Sequence, residues 1–157
     1  MDITNADGST TRMSQSTAIL RYLGKVHGYY PEDAKTAYQV DRVIDDFNDI
    51  LGLIYKPHFN KDQDPTDIFE KILPKYLKTI EERCASNEFL VGEKMTIADF
   101  AIGQLYTNYL ANENISFAPE RWNAVLESFP GFKAWGAKFA EKNAEYLSSE
   151  ARGKYAV

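Results

Sequence analysis

The chain has 157 residues, of which 44% are hydrophobic and 26% are charged. This composition is ordinary for a globular protein and argues against disorder, and the length suits one domain with room for a small appended unit. The net charge of -5 gives nucleic acid and anionic membranes no broad electrostatic attraction, so we expect neither as a partner. With one cysteine, Cys84, and no apolar run near the roughly 20 residues of a membrane span, a soluble cytoplasmic protein is expected.

In chain order the first pattern is a hairpin, because Asp7-Gly8 separates two short strand-like stretches at residues 3–5 and 10–13. A hairpin of two strands is marginally stable in water, so we expect further strands from another segment or another chain. Residues 14–17 then offer side-chain caps for a first helix, whose end Gly24 and Gly28 are predicted to mark.

Helical periodicity dominates the rest of the chain. Apolar residues recur at helical spacing over residues 34–55, where Pro57 and the polar run 60–65 are expected to end the helix. Thr66 is predicted to cap the next helix, which carries an apolar stripe that includes Tyr76 and which Pro74 should kink or divide. The sequence therefore predicts a mainly α fold.

The sharpest local signal is the segment Met95-Thr96-Ile97-Ala98-Asp99-Phe100. Thr96 and Asp99 have the spacing of a capping box, and Met95 and Phe100 stand where a hydrophobic staple would place them. This pattern predicts the start of the core helix.

Two more helices are predicted at residues 122–129 and 132–146, separated by Pro130-Gly131, and the tail 148–157 is expected to be loose. Five aromatic residues near helical spacing are interpreted as core packing rather than as a platform for bases: Trp122, Phe129, Phe132, Trp135 and Phe139. Cys84 is interpreted as a packed thiol, and His27 and His58 lack the spacing of metal ligands, so no metal site is expected.

Two polar patterns each allow two interpretations. Asp41, Asp45 and Asp49 are four residues apart and line one helix face, which is either a solvated surface or a site for an amine or a basic partner. Gln15-Ser16 at a helix start is either a plain cap or, with the backbone N–H groups there, a site for a carboxylate.

Taken together, these segments resemble cytosolic glutathione transferases, most like the sigma and pi type. The resemblance rests on Asp7-Gly8 followed by residues 15–23, on Gln39-Val40-Asp41 with Asp45 and Asp49, on residues 89–92 and 95–100, and on Phe129-Pro130. It implies a glutathione-transferase C-terminal helical bundle over residues 31–157. A remnant β-hairpin and helix of a thioredoxin-like domain would precede it over residues 1–30.

The resemblance also implies roles for individual residues. Gln15 and Ser16 match the pair that holds the γ-glutamyl end of glutathione, and Asp49 matches the acidic residue that reaches the same amino group across a dimer. Glutathione is thus the implied ligand if the site is completed, no metal is implied, and a homodimer or a larger protein assembly is the implied partner state.

The resemblance includes no catalytic residue, since the strands that carry the family's thiol-activating residue have no counterpart here and Asp2 stands where the family pattern has its cis proline. We therefore expect a noncatalytic interaction or structural subunit. The alternative is part of an active transferase whose N-terminal portion comes from outside these residues. A third hypothesis, a binding module for a small apolar ligand, would use Tyr55, Tyr106 and Tyr109.

Overall fold

The computed structural model describes residues 1–59 and 64–152 and confirms a mainly helical chain behind a small hairpin. In chain order its elements are β1 (Asp2–Thr4), β2 (Thr10–Arg12), α1 (Ser16–His27), α2 (Ala34–Phe59), a first π-helical turn (Ile68–Ile72), α3 (Leu73–Ser86), α4 (Ile97–Leu105), a second π-helical turn (Tyr106–Leu110), α5 (Pro119–Glu127), α6 (Pro130–Lys142), α7 (Ala144–Ser148) and a 3-10 turn (Glu150–Arg152).

The predicted hairpin is confirmed as an antiparallel pair in which Asp2 lies opposite Arg12. At its tip the Asp7 carboxylate accepts a hydrogen bond from the backbone N–H of Ser9 at 2.9 Å, and Gly8 has a φ of 80°. Within the described residues the sheet has only these two strands, and their side chains are mostly exposed. Both strand edges are therefore open in this part of the chain.

Helix α1 ends at Gly28, as predicted, because Gly28 adopts the left-handed conformation that favours glycine and its N–H bonds the carbonyl of Gly24. Gly24 itself does not end the helix. It is buried in the last turns of α1, where an added Cβ would lie 2.5 Å from the Ile97 side chain. Gly24 thus lets α1 approach the start of α4.

Helix α2 is the long helix that the periodicity predicts, but it runs on past Pro57 to Phe59. Its buried face carries Val40, Ile44 and Ile54, which belong to the core together with residues of α4. Residues 60–63 of the predicted polar terminator lie outside the described residues, as does the side chain of His58.

Thr66 is not the residue that caps the next helix, contrary to the prediction. Asp64 is the capping residue, since its carboxylate accepts hydrogen bonds from the backbone N–H and the hydroxyl of Thr66 at 2.9 and 2.6 Å. The predicted division at Pro74 is confirmed: a π-helical turn precedes α3, and Pro74 lies in the first turn of α3. Proline has no backbone N–H to donate to the carbonyl four residues earlier, so a regular α-helix is interrupted at this point.

The capping box at the start of α4 is confirmed. Asp99 is 0% exposed, and its carboxylate accepts hydrogen bonds from the backbone N–H groups of Thr96 at 2.8 Å and Leu90 at 2.9 Å. Burial raises the pKa of Asp99, although these hydrogen bonds act to lower it. Met95 and Phe100, which flank the capping box, are both partly buried against the core.

Helix α6 begins earlier than predicted, because Pro130 and Gly131 form its first turn rather than a separator. Glu81 of α3 caps this turn. Its carboxylate accepts hydrogen bonds from the backbone N–H groups of Gly131 at 2.9 Å and Phe132 at 2.6 Å. A carboxylate at a helix N-terminus satisfies two N–H groups and complements the helix dipole.

The predicted aromatic core is confirmed: Trp122, Phe132, Trp135 and Phe139 are buried, and Phe129 packs against them. The predicted loose tail is wrong over residues 148–152, because the Arg152 guanidinium donates hydrogen bonds to the carbonyl of Thr107 at 3.1 Å and to the Asn108 side chain at 3.3 Å. Residues 153–157 lie outside the described residues.

Replacing Glu81 with Ala is expected to lower the free energy of unfolding by about 1–2 kcal/mol, because two N–H groups at the start of α6 lose their acceptor. Urea denaturation followed by circular dichroism measures this loss. Glu82→Ala is the control, since Glu82 is exposed in the same helix and should change stability by less than about 0.5 kcal/mol. Equal losses in the two variants would contradict a specific cap.

Candidate functional site

The backbone at the start of α1 is strained. Gln15 precedes the helix with φ 71° and ψ 105°, and no side chain caps this end. A positive φ in a residue other than glycine costs on the order of 1–3 kcal/mol, and such strain concentrates at binding sites. The interpretation of Gln15-Ser16 as a plain cap is therefore wrong, and the first N–H groups of α1 remain available to an anion.

The first turn of α1 lies beside α2. The Thr17 hydroxyl donates a hydrogen bond to the Asn48 side-chain oxygen at 3.3 Å, and Asn48 precedes Asp49 in α2. The structure thus places the Gln15-Ser16 segment near the acidic face of α2. Within the described residues no hydrogen bond joins Gln15 or Ser16 to Asp49 directly.

Arg21 of α1 pairs with two of the three carboxylates on the acidic face of α2. The Arg21 guanidinium donates a hydrogen bond to Asp41 at 2.7 Å and lies 3.6 Å from a carboxylate oxygen of Asp45. The Tyr30 hydroxyl donates a second hydrogen bond to Asp41 at 2.7 Å. Burial acts to raise the pKa of Asp41, but the hydrogen bonds from Arg21 and Tyr30 outweigh it and hold that pKa below its usual value.

Asp49 differs from the other two carboxylates. Like Asp45 it is exposed, but no Lys, Arg or His in the described part of the chain forms an ion pair with it. Its hydrogen-bond donor is the Tyr76 hydroxyl of α3, at 3.3 Å. Burial is the main cause that raises the pKa of neighbouring Asp46, and the charges of Asp49 and Asp45 add to it. An uncompensated negative charge therefore lies at Asp49.

The profile of the glutathione S-transferase C-terminal domain matches residues 46–150. The chain belongs to the glutathione S-transferase family. It is 32% identical to glutathione S-transferase P of Capra hircus over 140 residues, which is 84% of this chain and 60% of that protein. It is 28% identical to glutathione S-transferase Mu 1 of Oryctolagus cuniculus over 141 residues, with 83% of this chain and 56% of that protein covered. The chain thus spans less than two thirds of the length of either relative.

Solved structures of this family share the fold. A Nu-class glutathione S-transferase from Haemonchus contortus aligns with a TM-score of 0.66 at 26% identity, covering 88% of this chain and 69% of that one. A Pi-class glutathione S-transferase from Onchocerca volvulus aligns with a TM-score of 0.69 at 21% identity, covering 93% and 69%. The resemblance and the fold class that the sequence predicts are both confirmed.

A cavity of about 490 Å³ lies elsewhere in this transferase-family chain, between α1, α4, α6 and the tail. Its walls include Leu20, Phe100, Gln104, Phe139 and Arg152. None of the predicted site residues lines it. The cavity and the Gln15-Asp49 region are therefore separate features.

Two further predictions concern reactive groups. Burial is the main cause that raises the pKa of Cys84 to about 12, so the thiolate that a nucleophile needs is nearly absent at neutral pH. Among residues 1–59 and 64–152 no cluster of His, Cys, Asp or Glu is suited to a metal ion. No helix of that part combines the length and the hydropathy that a bilayer crossing needs.

The three tyrosines proposed as a pocket for an apolar ligand do not share one surface. Tyr106 and Tyr109 are buried in the core, where Tyr109 is 1% exposed, whereas Tyr55 is 38% exposed. Core packing thus accounts for two of them.

The sequence did not single out three residues that organise the site: Arg21, Tyr30 and Tyr76. Arg21 lies in α1 and Tyr30 lies just after it, while their partner Asp41 lies on the next helix, so only the packing of α1 beside α2 reveals their role. Tyr76 was assigned to the apolar stripe of α3. A signal was present in Pro74, because a break just before Tyr76 changes which way the following residues face.

Proposed function

We propose that this chain binds the γ-glutamyl end of glutathione through Gln15, Ser16 and Asp49. The observation that carries the proposal is a difference in ion pairing along the acidic face of α2. Arg21 forms ion pairs with Asp41 and Asp45, whereas Asp49 has no cationic partner in the described residues. An exposed carboxylate without a cationic neighbour suits an external ammonium group.

The α-amino acid end of glutathione carries one ammonium and one carboxylate, and the site offers a group for each. In the proposed homodimer Asp49 of one copy meets the ammonium of the ligand held by the other copy. The uncapped N–H groups at the start of α1 of that other copy, with its Ser16 hydroxyl and Gln15 amide, meet the carboxylate. The strained Gln15 backbone supports this assignment, because plain capping needs no strain. The names of the relatives, glutathione S-transferases P and Mu 1, agree with it.

The same groups do not ionise a thiol. Stabilising a thiolate needs a hydroxyl or a cation aimed at the sulfur, whereas the uncompensated charge of Asp49 opposes a second negative charge nearby. We therefore propose that residues 1–157 alone act as a noncatalytic interaction or structural subunit, with a remnant of a thioredoxin-like glutathione-binding domain at 1–30 and the helical domain at 31–157. A homodimer or a larger assembly is the proposed state, with the open hairpin edges available to a partner.

The second candidate is part of an active glutathione transferase that conjugates glutathione to electrophiles. Residues outside 1–157, from the same protein or another chain, would then supply thiol activation. The retained Gln15 strain and the ion-pair-free Asp49 favour this candidate, since a purely structural subunit needs neither. Assay of the purified polypeptide with glutathione and chlorodinitrobenzene separates the two, and we expect no turnover and no retention on glutathione-agarose.

Binding itself is tested by titrating the ¹⁵N-labelled chain with glutathione and following amide shifts in NMR spectra. We expect Gln15 and Ser16 to shift with a Kd on the order of 1 mM, about -4 kcal/mol, because only one end of the peptide is held. Asp49→Asn should weaken this binding about tenfold, since a charged hydrogen bond is lost.

Asp45→Asn is the matched control, since Asp45 lies one turn away on the same face and is paired with Arg21. It should leave the Kd unchanged within about twofold. Asp49→Asn should also leave the melting temperature within about 2 °C, because an exposed carboxylate contributes little to folding. A large drop in melting temperature, or equal Kd changes in both variants, would refute the assigned role of Asp49.

A further inference from the structure

The contact between Tyr76 and Asp49 joins α3 to the proposed site. The Tyr76 hydroxyl lies 3.3 Å from Oδ2 of Asp49, and the Tyr76 ring is half-buried against the core. Burial, followed by the charge of Asp49, raises the pKa of Tyr76, so its hydroxyl keeps its proton at neutral pH. The phenol is therefore a protonated donor at the edge of the acidic face.

The helix face on which Tyr76 lies depends on the π-helical turn that precedes α3. The π-helical turn Ile68–Ile72 adds one residue to a turn, and Pro74 follows it in the first turn of α3. One extra residue rotates every later position by about 100° relative to an uninterrupted α-helix. The turn therefore helps to set the face of α3 on which Tyr76 meets α2.

A neutral donor has a particular consequence for a carboxylate that must bind a cation. Arg21 lies 2.7 Å from Asp41 and cancels much of its charge. A phenol instead fixes the carboxylate with one hydrogen bond and leaves the full negative charge in place. Without such a donor, nothing would restrain the exposed Asp49 side chain from sampling several rotamers.

We propose that Tyr76 is a positioning residue, which holds the Asp49 carboxylate in one rotamer for the ammonium group of the ligand while leaving its charge uncancelled. This inference rests on the proposed function, because it assigns Asp49 to the ligand. The inference depends on one contact: a neutral donor, Tyr76, is bonded to Asp49. Within the described residues, Asp49 is the exposed carboxylate of the acidic face that has no ion pair.

A double-mutant cycle on the glutathione Kd tests the proposal with the full chain. Tyr76→Phe should raise the Kd about fivefold in the wild-type background and by less than about 1.5-fold in the Asp49→Asn background, because Tyr76 acts through Asp49. Tyr30→Phe is the matched control, since it removes a tyrosine hydrogen bond to Asp41 on the same helix. It should leave the Kd unchanged. An equal effect of Tyr76→Phe in both backgrounds would overturn the proposal.

A second measurement keeps this test separate from that of the proposed function. Three-bond couplings of the Asp49 Cβ protons report its rotamer without any ligand, and Tyr76→Phe should change them from single-rotamer to averaged values. If wild-type chain shows no glutathione shifts, the ligand assignment fails while these couplings still decide whether Tyr76 positions Asp49. Unchanged couplings in Tyr76→Phe would overturn the positioning role.

Discussion

Replacing Asp99 with Ala is expected to lower the free energy of unfolding by about 3 kcal/mol or more. The carboxylate is fully buried and accepts from three donors, the backbone N–H groups of Leu90 and Thr96 and the Thr96 hydroxyl. A buried donor left without an acceptor costs about 1–3 kcal/mol. The loss exceeds that of an ordinary helix cap because the Leu90 bond also ties the preceding loop to the start of α4.

Chemical denaturation of three variants measures this effect. Thr96→Ala removes one side of the capping box and should cost on the order of 1 kcal/mol. Asp67→Ala is the surface control, because Asp67 is 70% exposed in its pair with Lys71 and should cost less than about 0.5 kcal/mol. If Asp99→Ala costs no more than Thr96→Ala, the tie to Leu90 contributes nothing.

The parts of the fold that the sequence predicts correctly depend on residues close together in the chain. Thr96 and Asp99 are three residues apart, and the turn at Asp7-Gly8 closes the hairpin within a few positions. Local spacing determines such features directly, because the backbone between the partners has few alternative conformations. The capping box and the hairpin are therefore both confirmed.

Errors arise where a distant partner decides the outcome. Glu81 caps α6 from 50 residues away, so Pro130-Gly131 becomes a helix start rather than a separator. Arg152 reaches Thr107 across 45 residues and orders a tail whose composition alone suggests a loose end. Such contacts exist only once the helices have packed, and no periodicity in one segment reports them.

The candidate site combines both cases. The residue types at Gln15, Ser16 and Asp49 can be read from the sequence, and the family resemblance orders them. The strained φ of Gln15 and the direction of Tyr76 cannot be read in the same way. The first is a backbone torsion that glutamine rarely adopts, and the second follows from a π-helical turn that changes the helical register.

The packing of α6 against α4 and the turn that follows it is close at two glycines, Gly103 and Gly136. A Cβ built at Gly136 would lie 2.2 Å from a ring carbon of Tyr106, and one built at Gly103 would lie 2.2 Å from the ring of Phe139. Phe139 of α6 thus lies over Gly103 of α4, and Tyr106 of the π-helical turn that follows α4 lies over Gly136 of α6. Tyr106 is 8% exposed and its ring centroid lies 5.9 Å from that of Phe132, so the ring has little room to withdraw.

Gly136→Ala is therefore expected to lower the free energy of unfolding by about 2–3 kcal/mol, even though Ala favours a helix over Gly by about 1 kcal/mol. Gly52→Ala is the matched control, because Gly52 is also inside a helix but an added Cβ there meets nothing within 4 Å. It should raise stability by up to about 1 kcal/mol.

The opposite signs of these two substitutions separate steric overpacking from helix propensity. If the Tyr106 ring is the obstacle, Gly136→Ala should cost less in a Tyr106→Leu background than in the wild type, with a coupling energy of about 1 kcal/mol or more. A stabilised Gly136→Ala variant would mean that the Tyr106 ring withdraws without loss, and Gly136 would then have no packing role.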